Sequence, residues 1–252
     1  MNKDFKDHFS GHARDYEQYR PIYPQELFSY LSTLTSQHRI AWDCATGNGQ
    51  AAISLRQYFQ RVIASDASAE QIAQVLPVEG VDFRCATAEN SQLADRSVDL
   101  VTVAQALHWF DLSAFTREVE RVLVEDGILA VWTYGLMHIN NDIDELISDL
   151  YHEILGPYWP FERRMVENAY AEIELPLSII EPPTFEMSLR WDLTQVIGYL
   201  NTWSAVKRYE AELDLNPIER IMADLHTLWG DEHKTYVVKW PLGLRVWRKV
   251  KT

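Results

Sequence analysis

The most constraining feature of the sequence is the stretch from Ile40 to Gln50, which reads IAWDCATGNGQ. A short apolar run ends in an acid, two glycines follow with one residue between them, and a helix-compatible run comes next. Glycine is needed where the backbone takes a positive φ or approaches a ligand closely. The pattern predicts a strand, a tight loop and a helix, which is where open α/β sheets bind nucleotide-like ligands.

The same alternation of strand and helix continues along the first half of the chain. Predicted strands are Ile40–Cys44, Val62–Asp66, Val81–Cys85, Val98–Val103 and Ile128–Thr133. Strands that alternate with helices are typical of βαβ units, whose right-handed crossovers place helices on both faces. We therefore expect an α/β fold with a doubly wound, mostly parallel seven-stranded sheet.

This alternation breaks near Gly135, where prolines and large aromatic residues begin to interrupt the helical pattern. We expect one domain overall, in which residues 1–134 form an N-terminal segment and the cofactor-binding core. Residues 135–206 are predicted to form a helical lid over the strand ends, with Phe185–Trp191 as a possible return to the sheet. Residues 207–252 would supply a helix and then two closing strands, or a hairpin, around Pro241-Leu242-Gly243.

The charge of the chain limits its partners. A formal net charge of −14 disfavours a nucleic-acid phosphate backbone as the partner. No apolar run approaches the roughly 18–20 residues that cross a membrane, and the first eight residues lack the apolar core of a signal peptide. We expect a soluble cytoplasmic protein with no metal, because no Cys/His spacing suggests one.

Two cofactors compete for the glycine loop. Residues 47–52 fit the dinucleotide fingerprint G-x-G-x-x-G/A, and Asp66 lies 19 positions after Gly47, where a ribose-binding acid is expected. S-adenosylmethionine is bound by a similar loop. Asp43 favours this second cofactor, because a carboxylate there would face the pyrophosphate of a dinucleotide, whereas S-adenosylmethionine carries an ammonium and a sulfonium.

Several further motifs resemble one family, the class I S-adenosylmethionine-dependent methyltransferases, and within it the small-molecule group that includes trans-aconitate methyltransferase. The first motif, D-x-G-x-G-x-G, is matched by Asp43–Gln50 with Ala45 in place of one glycine. The other segments that carry the resemblance are Arg20–Pro24, Ala88-Glu89, Ala104–Asp111, Gly156–Trp159 and Trp240–Leu242.

The resemblance implies that S-adenosylmethionine is the cofactor and assigns residues to each part of it. Asp43, Ala45, Gly47 and Gly49 would surround the amino acid end, and Asp66 with Ala67 would lie at the ribose. Beside the adenine and the methionine chain it would place Thr87, Ala88, Glu89, Gln105 and Ala106.

Candidates for the acceptor side are mostly aromatic or basic. His108 is the best candidate for a general base, because it follows the fourth strand and a neutral imidazole accepts a proton near pH 7; the alternative is a hydrogen-bonded wall residue. Arg20, and Arg163 or its neighbour Arg164, could bind an acidic substrate in bidentate fashion. The remaining pocket candidates, each of which could instead pack in the core, are Tyr19, Tyr23, Trp109, Trp159 and Trp203.

The expected function is methyl transfer from S-adenosylmethionine to a small-molecule acceptor, with a carboxylate as one candidate. Two alternatives stay open. One is an NAD(P)-dependent oxidoreductase, which the glycine loop alone would allow. The other is a protein that binds S-adenosylmethionine but has lost catalysis. The sequence does not identify the acceptor or the oligomeric state.

Overall fold

The computed structural model describes residues 19–250, and its central element is an eight-stranded sheet. The strands are β1 (Ile40–Cys44), β2 (Arg61–Asp66), β3 (Val81–Cys85), β4 (Val98–Ala104), β5 (Leu123–Tyr134), β6 (Ser178–Ile180), β7 (Phe185–Trp191) and β8 (Tyr236–Arg248). The α-helices are α1 (Gln25–Thr33), α2 (Gln50–Leu55), α3 (Ala69–Gln74), α4 (Leu112–Val122), α5 (Asn141–Asp149), α6 (Arg163–Glu167), α7 (Leu193–Asn201), α8 (Ser204–Leu213) and α9 (Met222–Trp229).

Shorter helical turns complete the chain path. Three of them are 3₁₀ turns, at Leu107–Trp109, Gly156–Tyr158 and Pro217–Arg220, and a π-helical turn follows α5 at Leu150–Ile154. The helical segment over residues 141–154 is therefore split between α5 and this π turn. No helix among residues 19–250 is both long and apolar enough to cross a membrane.

The sheet is mixed, with strand order β3-β2-β1-β4-β5-β8-β6. The strands from β3 to β5 pair in parallel, as predicted, whereas β8 runs antiparallel to β5, β6 and β7. The order of parallel strands reverses between β1 and β4. In open α/β sheets, ligands bind outside the carboxyl ends of the strands at such a reversal.

The predicted number of seven strands is wrong, because β6 and β7 occupy the same edge of β8. Leu242 pairs with Tyr134 of β5 on one edge and with Phe185 of β7 on the other, and β6 pairs farther along β8. Residues 181–184 separate the two short strands and contain Pro182 and Pro183, which have no N–H for the ladder. The sheet is thus eight strands in seven positions.

The predicted closing hairpin is also wrong, because β8 runs through Pro241-Leu242-Gly243 as one strand. Pro241 lies in the half of β8 that pairs with β7 alone, where a missing N–H is tolerated. Gly243 permits Ala169 to approach β8 closely, since a Cβ on Gly243 would lie 2.4 Å from the Cβ of Ala169. The turn after α6 therefore packs directly against β8.

Helices cover both faces of the sheet, as predicted. Neighbouring residues of a strand point to opposite faces, and Ala41 belongs to one buried cluster while Trp42 belongs to the other. Helix α1 and much of residues 135–206 pack in the first cluster, where Ile143 and Leu200 are fully buried. Helix α4 packs in the second cluster.

The lid role of residues 135–206 and the division of the chain into three segments stay predictions. Residues 1–18 of the predicted first segment lie outside the described residues.

Candidate functional site

The glycine loop turns sharply at three residues between β1 and α2. Ala45, Gly47 and Gly49 have φ values of 56°, 54° and 84°. The loop is tied to β2 by the Thr46 N–H, which donates to the Ser65 carbonyl at 2.9 Å. A Cβ at Gly47 would have no atom within 4 Å, so the loop faces open space there and can accept a ligand close to its backbone.

Ala45 is the strained member of this loop, because it adopts the left-handed conformation that L-residues disfavour by roughly 1–2 kcal/mol. We expect Ala45→Gly to raise the melting temperature, since the strain released exceeds the unfolded-state entropy that glycine adds. The matched control is Ala69→Gly at the first turn of α3, where the conformation is helical, and it should lower the melting temperature. A lower melting temperature for Ala45→Gly, in differential scanning calorimetry, would contradict this.

The buried Asp43 side chain stabilises the glycine loop. Its carboxylate accepts hydrogen bonds from the Thr46 hydroxyl at 2.6 Å and the Thr102 hydroxyl at 2.8 Å, and it is 1% exposed. Burial raises the pKa of Asp43 to about 6, although these hydroxyls and the Ala52 N–H oppose the shift. Both oxygens are therefore engaged inside the protein, so the side chain shapes the loop that a ligand would contact.

Asp66, at the end of β2, joins the glycine loop to the next connection. It accepts hydrogen bonds from the Gly47 N–H at 3.0 Å and the Ser68 N–H at 2.9 Å. Ser68 in turn caps α3 by accepting from the Gln71 N–H. Ala67 lies between these contacts, so residues 66–68 border the open side of the glycine loop.

The ends of β1, β2 and β3 form a region of negative charge. Burial and the carboxylates of Asp43, Glu89, Asp66 and Glu118 together raise the pKa of the Cys44 thiol well above its usual value. Among the residues after β3, Thr87 is exposed, Ala88 is buried, and Glu89 accepts a hydrogen bond from the Asp111 N–H at the start of α4. This side of the site favours a cationic ligand.

Gln105 follows β4 and is held in a left-handed conformation, with φ of 57°. Its N–H donates to the Trp132 carbonyl, and its side-chain amide donates to the Tyr134 carbonyl and accepts from the Tyr134 N–H. The Thr133 hydroxyl also donates to the Gln105 side chain. Strained residues held by so many contacts are concentrated at functional sites, and the buried Ala106 follows directly.

His108 is close to the positions predicted for the acceptor. Its Nδ1 lies 2.9 Å from the Tyr170 hydroxyl, and the Trp109 ring lies 4.6 Å from its own ring centre. Burial, with the positive charge of Arg163 as a second cause, lowers the pKa of His108 to about 3. The imidazole is neutral over the physiological pH range and holds an added proton weakly.

Arg163 is fixed by two aromatic residues of the preceding segment. Its Nε donates to the Tyr151 hydroxyl at 2.9 Å, and its guanidinium carbon lies 4.9 Å from the Trp159 ring centre. The Trp159 indole N–H donates to the Tyr151 carbonyl. Arg164, by contrast, is exposed and lies over the Phe161 ring. The geometry favours Arg163 over Arg164 as a residue held for binding.

Arg20 lies in a second aromatic group. It donates to the Tyr134 hydroxyl at 3.1 Å, and its guanidinium carbon lies 5.5 Å from the Tyr199 ring centre. Tyr134 also contacts the Tyr23 ring. Trp203 contacts both Tyr199 and Trp159, so it connects this group to that of Arg163.

Two of the predicted acceptor residues have packing roles as well. Trp203 is only 5% exposed within the aromatic core. Tyr19 occupies the space in which a Cβ of Gly198 would lie. The structure thus joins Tyr23, Trp159 and Trp203 into one connected aromatic region that includes Arg20 and Arg163. Trp109 and His108 instead lie with Tyr170 at the other buried cluster.

Several site residues were not predicted from the sequence. Thr46 is the one with a local signal, since a hydroxyl inside the glycine loop is well placed to bond the strand-end acid. The others come from distant parts of the chain and have no motif: Thr102, Thr133, Tyr134, Tyr151, Tyr170 and Tyr199.

Comparisons with known proteins agree with this geometry. The family described as "methyltransferase domain" matches residues 42–131, which hold the strand ends from β1 to β5 but not residues 135–206. An inferred methyltransferase of Dictyostelium discoideum is 36% identical over 204 residues, which are 79% of this chain and 78% of that protein. An inferred S-adenosylmethionine-dependent methyltransferase of Saccharomyces cerevisiae is 32% identical over 143 residues, 53% of this chain and 47% of that protein.

A solved structure is also similar over most of the chain. An inferred type II methyltransferase from Anaeromyxobacter dehalogenans has a TM-score of 0.87 and 36% sequence identity, and the match covers 92% of this chain and 99% of that one. The likeness therefore includes residues beyond the matched domain.

Proposed function

The chain belongs to the class I S-adenosylmethionine-dependent methyltransferase family, and from this membership we propose that it transfers a methyl group from S-adenosylmethionine to a small carboxylate acceptor. The observation that carries the donor is the set of carboxylates at the strand ends: Asp43 in β1, Asp66, which accepts from the Gly47 N–H, and Glu89 after β3. S-adenosylmethionine has an ammonium and a sulfonium, which this charge attracts. The pyrophosphate of a dinucleotide would be repelled by the same groups.

The residues around the glycine loop fit the donor. The open backbone at Gly47 would receive its amino acid end, with Gly49 completing the turn. Asp66 retains acceptor capacity for ribose hydroxyls, because each carboxylate oxygen can accept more than one hydrogen bond. Ala67 would lie at the ribose with Asp66, and beside the adenine and the methionine chain we propose Thr87, Ala88, Gln105 and Ala106.

Two arginines favour an anionic acceptor. Arg20 and Arg163 are each oriented by a tyrosine hydroxyl and lie against an aromatic ring. An arginine that is already oriented loses less freedom when it binds a carboxylate in bidentate fashion. Tyr23, Trp109 and Trp159 would supply apolar contacts around such an acceptor.

Methyl transfer requires little of the side chains beyond alignment of the acceptor with the methyl group. When bound, S-adenosylmethionine supplies an electrophilic methyl group on a positively charged sulfur. The chain has to hold the acceptor oxygen in line with that group and exclude water. A carboxylate has no proton to lose, so a neutral His108 with a pKa of about 3 is compatible with the reaction. Residues 135–206, which carry Trp159 and Arg163, are proposed as the lid.

A labelled-methyl assay tests this function. The protein is incubated with S-adenosylmethionine carrying a tritiated methyl group and with a panel of small carboxylates, trans-aconitate among them, and matched amines. We expect label in a carboxylate product. Label in the amines alone would overturn the proposed acceptor class, and no turnover with any acceptor would favour a binding protein.

The role of Arg163 is tested with its neighbour as the matched control. Arg163→Met should raise the KM for the carboxylate acceptor about tenfold or more, because it removes a charge-assisted bidentate contact worth about 1.5–3 kcal/mol. Arg164→Met removes the same charge from an exposed position and should leave the KM within about twofold. Equal effects of the two variants would remove Arg163 from the acceptor site.

A further inference from the structure

We propose that Tyr170 is a positioning residue that holds the His108 imidazole with its proton on Nε2, so that His108 offers the acceptor a hydrogen-bond donor rather than a base. The tautomer follows from the geometry of the protein alone. Its use on the acceptor rests on the proposed methyl transfer.

The hydrogen bonds around the Tyr170 hydroxyl decide the direction of its proton. The Tyr170 side chain is 1% exposed, so its hydroxyl proton needs an acceptor inside the protein. The Nδ1 of His108 lies 2.9 Å away. An imidazole whose Nδ1 accepts a hydrogen bond carries its proton on Nε2.

The reverse direction would leave the phenol proton unsatisfied. If Nδ1 carried the proton and donated to the Tyr170 oxygen, the buried hydroxyl proton would need another acceptor. A phenol is also a stronger donor than a neutral imidazole N–H, and an imidazole nitrogen is the stronger acceptor. The arrangement with Nδ1 as acceptor therefore satisfies both side chains.

The position of Tyr170 is held against backbone strain. Ala169 and Tyr170 are consecutive non-glycine residues with φ of 47° and 56°, and Tyr170 is 1% exposed. The Tyr170 N–H donates to the Met165 carbonyl at 2.9 Å, and Ala169 packs on Gly243 of β8. Left-handed residues of this kind persist where the surrounding contacts require them, and they are frequent at functional sites.

The Nε2 atom is available to a ligand. It has no hydrogen-bond partner among residues 19–250, and it is not one of the buried unpartnered polar atoms of that part of the chain. The titratable or charged groups that face His108 from the packed elements are Tyr170 and Arg163. An N–H donor beside a guanidinium suits an acceptor that presents an unprotonated oxygen, as a carboxylate does.

Nitrogen NMR of the ring tests the tautomer without any substrate. The protein is labelled with ¹⁵N-histidine, and the His108 signals are assigned by their loss in His108→Gln. We expect Nε2 to give the protonated type of resonance and Nδ1 the unprotonated type throughout pH 6 to 8. A proton on Nδ1, or an imidazolium that titrates within this range, would overturn the proposal.

A pair of tyrosine variants tests the cause. Tyr170→Phe should let the proton distribute over both ring nitrogens, whereas Tyr236→Phe, which removes a tyrosine hydroxyl at the start of β8, should leave the His108 spectrum unchanged. An unaltered tautomer in a folded Tyr170→Phe protein would overturn the role of Tyr170.

The kinetic readout follows once the tritium assay has identified an accepted carboxylate. Tyr170→Phe should then raise its KM about tenfold while the affinity for S-adenosylhomocysteine stays within about twofold. An unchanged KM would show that the tautomer is not used by the acceptor. Failure of methyl transfer itself would appear in the tritium assay of the wild-type protein and would leave the NMR result intact.

Discussion

Replacing Asp66 by asparagine is expected to lower the affinity for S-adenosylhomocysteine at least about 100-fold. The carboxylate accepts from the Gly47 and Ser68 N–H groups and is proposed to accept from the ribose hydroxyls. Hydrogen bonds to a charged group contribute about 1.5–3 kcal/mol each, and the asparagine NH₂ group would also point a donor at one of these N–H groups. Isothermal titration calorimetry measures the loss.

The matched control for this variant is Asp82→Asn. Asp82 lies on β3 and forms ion pairs with Arg61 and Arg84, away from the glycine loop. The Asp82→Asn variant removes one negative charge from the same sheet, and it should leave the affinity for S-adenosylhomocysteine within about threefold of the wild-type value. Circular dichroism of Asp66→Asn would verify that the sheet is intact. Wild-type affinity in a folded Asp66→Asn protein would show that this acid does not hold the donor.

Asp43 should make the protein less stable as the pH rises from 4 to 7. Its pKa is about 6 in the folded protein and about 3.9 in an unfolded chain. The folded state therefore binds the proton more tightly, and the stability that this supplies below pH 4 is lost as the pH rises through 6. Two pKa units correspond to about 3 kcal/mol.

Urea unfolding of the wild type and of Asp43→Asn at several pH values isolates this contribution. Other groups titrate in both proteins and cancel in the difference. We expect the stability of Asp43→Asn relative to the wild type to increase by about 2 kcal/mol between pH 4 and pH 7. A constant difference across this range, or one that decreases, would contradict a buried, destabilised carboxylate at the end of β1.

Much of the sheet could be predicted from local patterns. β1, β3 and β7 have the predicted bounds. β1 is a short, mostly apolar run, as buried strands are, whereas β3 and β7 alternate apolar with polar residues, as half-buried strands do. β8 could not be read correctly, because a proline followed by a glycine is normally a turn. Its continuity depends on pairing with β5 and β7, which are distant in sequence.

The donor side of the candidate site could also be predicted from the sequence, whereas the position of Tyr170 on the acceptor side could not. Gly47, Gly49 and Asp66 follow the neighbouring strands β1 and β2, and the spacing from Gly47 to Asp66 identifies them as neighbours, whereas the family resemblance supplied Gln105. Tyr170 is brought to His108 by the turn after α6 and by the close approach at Gly243, and no local pattern signals this. Ala45 stands where the family motif has glycine, and the loop imposes on it a positive φ that alanine disfavours.

The central claim is that the glycine loop holds S-adenosylmethionine, and thermal unfolding with cofactors tests it most directly. A ligand that binds only the folded state raises the melting temperature with its concentration. S-adenosylmethionine and S-adenosylhomocysteine should each raise the melting temperature of the wild type, and NAD at the same concentrations should not. A rise with NAD, together with no rise with either sulfur compound, would contradict the account.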